Sequence, residues 1–107
     1  MAEFVTIAQA SDIPLGEGRS LRCGKEDIAL FHCEDGFYAI EDFCTHAGAP
    51  LGNGFVEGHR VACAWHGAEF CLKTGEALTP PAFGQVKAYE VRVQGTAVQI
   101  LPQQEQT

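Results

Sequence analysis

The sequence predicts an all-β protein, and three observations carry that expectation. Apolar and polar residues alternate with a period of two through most of the chain, turn signals interrupt the alternation at short intervals, and no stretch of about eleven or more residues has a convincing helical period. At 107 residues the chain reads as one domain, 1–107, long enough to bury roughly two-thirds of its unfolded surface without disulfides.

The elements follow in order. Phe4-Val5-Thr6-Ile7 reads as a first strand. Ser11 to Gly16 is punctuated as loop, with room for one helical turn, and Arg19 to Cys23 resumes extended structure. Asp27 to Cys33 reads as a strand that Glu34-Asp35-Gly36 turns into Phe37-Tyr38-Ala39-Ile40, a hairpin predicted by its Asp-Gly step. Phe55-Val56-Glu57 and Arg60 to Cys63 predict a second hairpin across Gly58-His59, and Glu69-Phe70-Cys71 with Glu76-Ala77-Leu78 a third around Lys73-Thr74-Gly75. Lys87 to Val93 alternates, with Tyr89, Val91 and Val93 on one face; Gln94-Gly95 then turns the chain into Thr96 to Leu101. Gln103 to Thr107 reads as a frayed polar tail.

The chemistry sits in residues 44 to 66. Cys44-Thr45-His46 is followed by sixteen residues and then Cys63-Ala64-Trp65-His66. Each Cys/His pair is short enough for both side chains to reach one site from a single loop. Gly48, Pro50, Gly52, Gly54 and Gly58 mark the segment between as turns. Two thiolates and two imidazoles suit either a structural zinc or a mixed-ligand iron–sulfur cluster. Zinc sites of this composition usually pair like with like, whereas here each loop offers one of each, an arrangement that suits a binuclear centre with two histidines on one iron.

With these residues the sequence resembles the Rieske family, whose signature is C-x-H, a spacer of similar length and C-x-x-H. Gly67, the Lys73-Thr74-Gly75 turn and Pro80-Pro81 extend the resemblance across nearly the whole chain. It implies one [2Fe-2S] cluster per chain, with Cys44 and Cys63 on the inner iron and His46 and His66 on the outer, exposed one. It implies an antiparallel β-sandwich or partly open barrel base, residues 1–42 and 84–101, with a small cluster-binding subdomain, approximately 43–83, inserted between. Ala49 and Trp65 stand where high-potential relatives carry a bracing disulfide, and Ala68 and Phe70 where they carry hydroxyls directed at sulfur. The resemblance is therefore to the low-potential, ferredoxin-type branch. Trp65, Pro80 and Pro81 are expected to shield the cluster, and Gly48 and Gly67 to let backbone N–H groups approach sulfur.

Composition narrows the function. A formal charge of −7 opposes nucleic acid as a partner, since binding it needs basic residues to displace counterions. Between Glu26 and His59 lie seven carboxylates and no Lys or Arg, either a solvated surface or a docking field for a basic partner. No apolar run approaches a membrane span and Met1-Ala2-Glu3-Phe4 has no signal-peptide character, so a soluble, cytoplasmic monomer is expected. Five cysteines argue for a reducing compartment, with Cys23, Cys33 and Cys71 as small buried hydrophobes. His32 and His59 have no partner at ligand spacing and are expected to be structural or exposed.

The chain has no Gly-rich nucleotide loop and no 2-His-1-carboxylate site. It thus resembles the ferredoxin component of bacterial aromatic-ring dioxygenase systems: not an enzyme but a one-electron carrier between a flavin-dependent ferredoxin reductase and a terminal oxygenase. The small subunit of an assimilatory nitrite reductase and a zinc-stabilised interaction module are the alternative readings.

Overall fold

A computed structural model describes residues 3–24, 26–42, 51–52, 54–63, 69–79 and 86–101. Among the described residues nine strands form two antiparallel sheets: β1 (Val5–Gln9), β2 (Gly18–Cys23), β3 (Glu26–Cys33), β4 (Gly36–Glu41), β5 (Phe55–Glu57), β6 (Arg60–Ala62), β7 (Glu69–Cys71), β8 (Ala88–Gln94) and β9 (Ala97–Leu101). The larger sheet has the order β1-β9-β8-β4-β3-β2, and the smaller β5-β6-β7. The terminal strands β1 and β2 approach each other, so the larger sheet is a nearly closed barrel. The all-β expectation holds, with strand ends displaced by a residue or two. The allowed helical turn is a 3-10 turn at Ala10–Asp12.

One correction concerns pairing. Glu76-Ala77-Leu78 does not make a strand: Ala77 forms a single bridge to Phe70, and the β7 ladder runs to β6 instead. Val93, which alternation places on one face with Tyr89 and Val91, is 46% exposed. Its neighbours Tyr89 and Val91 belong to the interior cluster, but Val93 pairs with Val98 one step from the Gly95 turn, near the tip of the β8–β9 hairpin.

Turn geometry follows from glycine. Gly58 and Gly95 take φ of +62° and +64° at the first central position of two-residue loops closed by Glu57 with Arg60 and Gln94 with Ala97. No non-glycine residue among those described has positive φ, so both are type II′ turns, whose twist matches the flanking strands. The loop between β3 and β4 is Glu34-Asp35 rather than Asp35-Gly36, and Gly36 takes the positive φ just after it.

Strand β3 explains how the two sheets meet. Ile28 and Leu30 point into the barrel with Ile13, Ala39, Tyr89, Val98 and Ile100. Ala29, Phe31 and Cys33 point the other way, into a second cluster with Ile40, Leu51, Val61, Cys63, Phe70, Leu72 and Val86. An uninterrupted apolar run, Ile28 to Phe31, is what burial on both faces requires. Burying each large side chain stabilises the fold by about 1.5–3 kcal/mol. The smaller sheet therefore has no separate core; it packs on the outer face of the barrel.

Backbone contact is equally close. A Cβ on Gly52 would lie 2.6 Å from the Ser20 nitrogen of β2, and one on Gly18 would lie 3.0 Å from the Gly52 carbonyl oxygen and overlap the Phe31 ring. Glycine is needed at both positions for β2 to meet residues 51–52. The chain leaves the barrel after Glu41 and returns at Lys87, and the two points are stitched together: Glu41 N donates to Lys87 O at 2.8 Å, and Lys87 N to Glu41 Oε1 at 3.1 Å.

Candidate functional site

Of the four residues expected as ligands, the described residues include only Cys63; Cys44, His46 and His66 lie outside them, as do Trp65, Ala68, Pro80 and Pro81. Cys63 and the residues that fix the ends of the segments carrying the others make up the described part of the site.

Cys63 follows β6, is 1% exposed and is free of any disulfide. Its packing cluster contains Leu51, Val61, Phe70, Leu72 and Val86. These neighbours bracket three segments: 43–50 ends at Leu51, 64–68 begins after Cys63 and ends near Phe70, and 80–85 ends at Val86. The ends of all three thus converge on one apolar cluster.

Hydrogen bonds fix each end. Asp42 Oδ1 accepts from Leu51 N at 2.6 Å and Gly52 N at 2.8 Å, so one carboxylate closes segment 43–50. Segment 64–68 is bounded by the paired residues Ala62 and Glu69. Glu69 N donates to Thr79 Oγ1 at 2.9 Å, and Leu78 N donates to Glu69 O at 2.7 Å. Val86 N donates to Gly75 O at 2.8 Å, and Gly75, with φ of +81°, has the Val86 carbonyl against the place a Cβ would occupy.

A [2Fe-2S] cluster fits this donor set. A thiolate at a dry, apolar position is strongly disfavoured unless a cation neutralises it, which matches a cysteine bound to the inner iron rather than a solvent-facing ligand. Two thiolates and two imidazoles supply the mixed ligation the cluster takes. No other group of three or more metal-ligating side chains occurs among the described residues.

The remaining candidates fall elsewhere. Cys33 is buried, and Cys23 and Cys71 are only partly so, which corrects the expectation of three buried thiols. Burial, and then the charge of Asp35, push the Cys33 thiol up. Burial also raises Cys71, but hydrogen bonds from the Thr74 hydroxyl and from the backbone at Lys73 and Thr74 outweigh it and leave that thiol lowered. His32 is satisfied as expected: Nδ1 lies 2.9 Å from Ile13 O and the ring stacks on Phe37 at 4.1 Å. His59 is not simply exposed. Its Nε2 lies 3.0 Å from Asp35 Oδ1 and its ring meets Tyr38 edge-on at 5.3 Å.

The acidic run does not form one field. Glu26, Asp27, Glu41 and Asp42 lie at one end of the β3–β4 hairpin, and Glu34 and Asp35 at the other. The first group is largely engaged: Glu26 with Lys87 and the Tyr89 hydroxyl, Asp27 with Arg22, Glu41 with Lys87 N and Asp42 with its loop. Sequence reading missed the structural work of Asp42. An acidic residue directly before a ligand loop was its only signal, and that signal equally fitted docking.

Comparison with known proteins adds an independent line. Residues 3–90 match the Rieske [2Fe-2S] domain. The chain is 32% identical over 97 residues to the ferredoxin component of naphthalene 1,2-dioxygenase/salicylate 5-hydroxylase systems from Ralstonia sp, covering 91% of this chain and 93% of that one. It is 37% identical over 101 residues to the 3-phenylpropionate/cinnamic acid dioxygenase ferredoxin subunit of Photorhabdus laumondii, covering 94% and 95%. Among solved structures it is similar to a chain from the complex of reduced oxygenase and oxidized ferredoxin in carbazole 1,9a-dioxygenase. That match has a TM-score of 0.85 and 30% identity, over 97% of both chains.

Proposed function

The chain belongs to the Rieske [2Fe-2S] domain family, and from that premise we propose that it is a one-electron carrier, the ferredoxin component of a multicomponent dioxygenase system. The observation that carries this reading is the match over more than nine-tenths of both lengths to ferredoxin components. Such relatives pass electrons and do not themselves transform the organic substrate. The nitrite reductase alternative has less behind it, because retained ligands and these relatives both favour the dioxygenase reading.

We assign Cys44 and Cys63 to the inner iron and His46 and His66 to the outer one, within a single domain, 1–107, whose cluster-binding subdomain is 43–83. When bound, the cluster supplies a one-electron couple, and histidine ligation places its potential above that of all-cysteine clusters. The protein's part is positional: Cys63 holds its sulfur away from water, and Asp42, Thr79 and Gly75 fix the ends of the loops. The electron donor is a flavin-dependent ferredoxin reductase and the acceptor a terminal oxygenase, in line with the complex of oxygenase and ferredoxin known for carbazole 1,9a-dioxygenase. We place this exchange in the cytoplasm, with the carrier a monomer. Among the described residues no helix is long and apolar enough to cross a membrane.

Metal and sulfide analysis tests the reading. Protein made under iron-replete conditions should hold two irons and two sulfides per chain and accept one electron from dithionite, and Cys63→Ser should abolish assembly. Stoichiometric zinc, or a cluster that takes up no electron, would overturn it.

A further inference from the structure

We propose that the outer edge of β5 is the docking strand for a partner protein, and that the segment it receives is extended, with alternating apolar and basic side chains. The proposal rests on the electron-carrier reading and adds where and how a protein partner is held.

Among the described residues, the strand order β5-β6-β7 leaves β5 at an edge. Its turn fixes which backbone groups are unused. Glu57 and Arg60 close a two-residue type II′ turn and form a hydrogen-bonded pair; one step back, Val56 and Val61 form a non-hydrogen-bonded pair. The N–H and C=O of Val56 therefore point away from β6. An edge with free backbone groups is a template for an added strand.

A groove runs along this edge. Its deeper part, a cleft of about 570 Å3, is lined by residues including Leu15, Gly16, Cys33, Val56 and His59. A second hollow continues it past Glu17, Gly18, Gly52 and Phe55, sharing Gly16 and Val56 with the first. Leu15 is 57% exposed and Phe55 71% exposed, large apolar side chains left open on either side. Gly16, where a Cβ would meet nothing within 4 Å, leaves room beside the strand for another backbone.

Charge selects the occupant. Among the described residues lining the two hollows, Glu17, Glu34 and Asp35 are acidic and none is Lys or Arg. His59 is already engaged by Asp35. An incoming strand would pair with Val56, place alternate apolar side chains near Leu15 and Phe55, and present basic ones to Glu17 and Glu34. The groove ends at Gly52, whose amide is bound by Asp42 together with that of Leu51, the residue that closes segment 43–50. A strand seated here would lie beside Leu51 and Gly52, which follow segment 43–50 in the chain.

The test uses the cluster-loaded protein and two short capped peptides, one alternating lysine with valine and one alternating glutamate with valine. Fluorescence anisotropy across a salt series should show binding of the lysine peptide alone, weakening as salt rises, and hydrogen exchange should show protection at Val56. Val56→Pro removes the outward N–H and also trims a half-buried side chain that packs on the core cluster, so the far-UV spectrum checks that the fold is kept while affinity falls about tenfold, the loss of one main-chain hydrogen bond. Combined Glu17→Lys and Glu34→Lys substitutions should weaken binding and flatten its salt dependence; should Val56→Pro fail to fold, these and the exchange pattern carry the test. Equal binding of both peptides, protection elsewhere, or a folded Val56→Pro with full affinity would overturn the proposal. Electron uptake from dithionite, measured on the same samples without peptide, tests the carrier reading separately.

Discussion

His59 and Asp35 join the tips of two hairpins that are far apart in the chain: Nε2 of the first lies 3.0 Å from Oδ1 of the second, linking the β5–β6 turn to the β3–β4 turn. The Tyr38 hydroxyl donates to the other Asp35 oxygen at 3.0 Å, and His59 O accepts from Leu72 N at 2.8 Å. The barrel and the smaller sheet are thus latched at the end away from Asp42.

The latch has a pH signature. The hydrogen bond from His59 is the largest effect on the Asp35 carboxyl; burial opposes it, and the Tyr38 hydrogen bond adds to it, so the carboxyl is held below its ordinary value of 3.8. A depressed folded-state value means that the contribution is present above 3.8 and is lost as pH falls from there through the folded value. Asp35→Asn should therefore melt at a lower temperature than the parent near neutral pH, with the gap closing as pH drops below that ordinary value. Circular dichroism melts across pH check it, and a pH-independent gap would show that the carboxylate's charge is not the cause.

Asp42 should matter more than its exposed neighbours. Asp42→Ala leaves the Leu51 and Gly52 amides without their acceptor, at a cost of about 2 kcal/mol. Asp42→Asn, which keeps an oxygen acceptor, should cost less. Urea unfolding of both variants measures this, and the visible absorbance of the cluster reports whether an unfastened loop sheds it sooner.

Two glycines with similar φ should respond differently to alanine. Gly75→Ala must both hold a left-handed conformation and displace the Val86 carbonyl, a cost of at least about 2 kcal/mol. At Gly16, with φ of +86°, a Cβ meets nothing within 4 Å, leaving only the backbone term of about 1 kcal/mol. Denaturation midpoints of the two variants should rank in that order.

Thiol reactivity should separate Cys71 from Cys33. The first is partly exposed with a lowered thiol value, the second buried with a raised one, and the thiolate is the nucleophile. Brief iodoacetamide treatment of the folded protein, followed by peptide mass analysis, should find Cys71 alkylated well before Cys33.

Much of the fold was legible because it depends on local pattern. The hairpins around Gly58-His59 and Gly95 follow from turn chemistry, and the Ile28 to Phe31 run already carries the two-sided burial of β3. The family and its cofactor were legible from the Cys/His spacing, which is a property of short segments. What stayed hidden depends on residues distant in sequence. Asp42 closing a loop onto Leu51 and Gly52, Gly18 meeting Gly52, and His59 meeting Asp35 each need the folded chain to bring the partners together. Glu76 to Leu78 misled because alternation also occurs where a segment is held by single bonds, here Cys71 N to Glu76 O and Leu78 N to Glu69 O.

The stitch between Glu41 and Lys87 also bears on how the chain folds and how its architecture can change. The β3–β4 and β8–β9 hairpins are local and form quickly, whereas pairing β4 with β8 must close the long excursion between them before the barrel is complete. Loop-closure entropy rises only with the logarithm of length, about 0.6 kcal/mol per doubling. An excursion that leaves and re-enters through adjacent, mutually bonded residues can therefore be lengthened or shortened with little thermodynamic effect on the barrel. Glu41 and Lys87 thus mark an insertion point at which the segment between them could be exchanged while the barrel kept its registers.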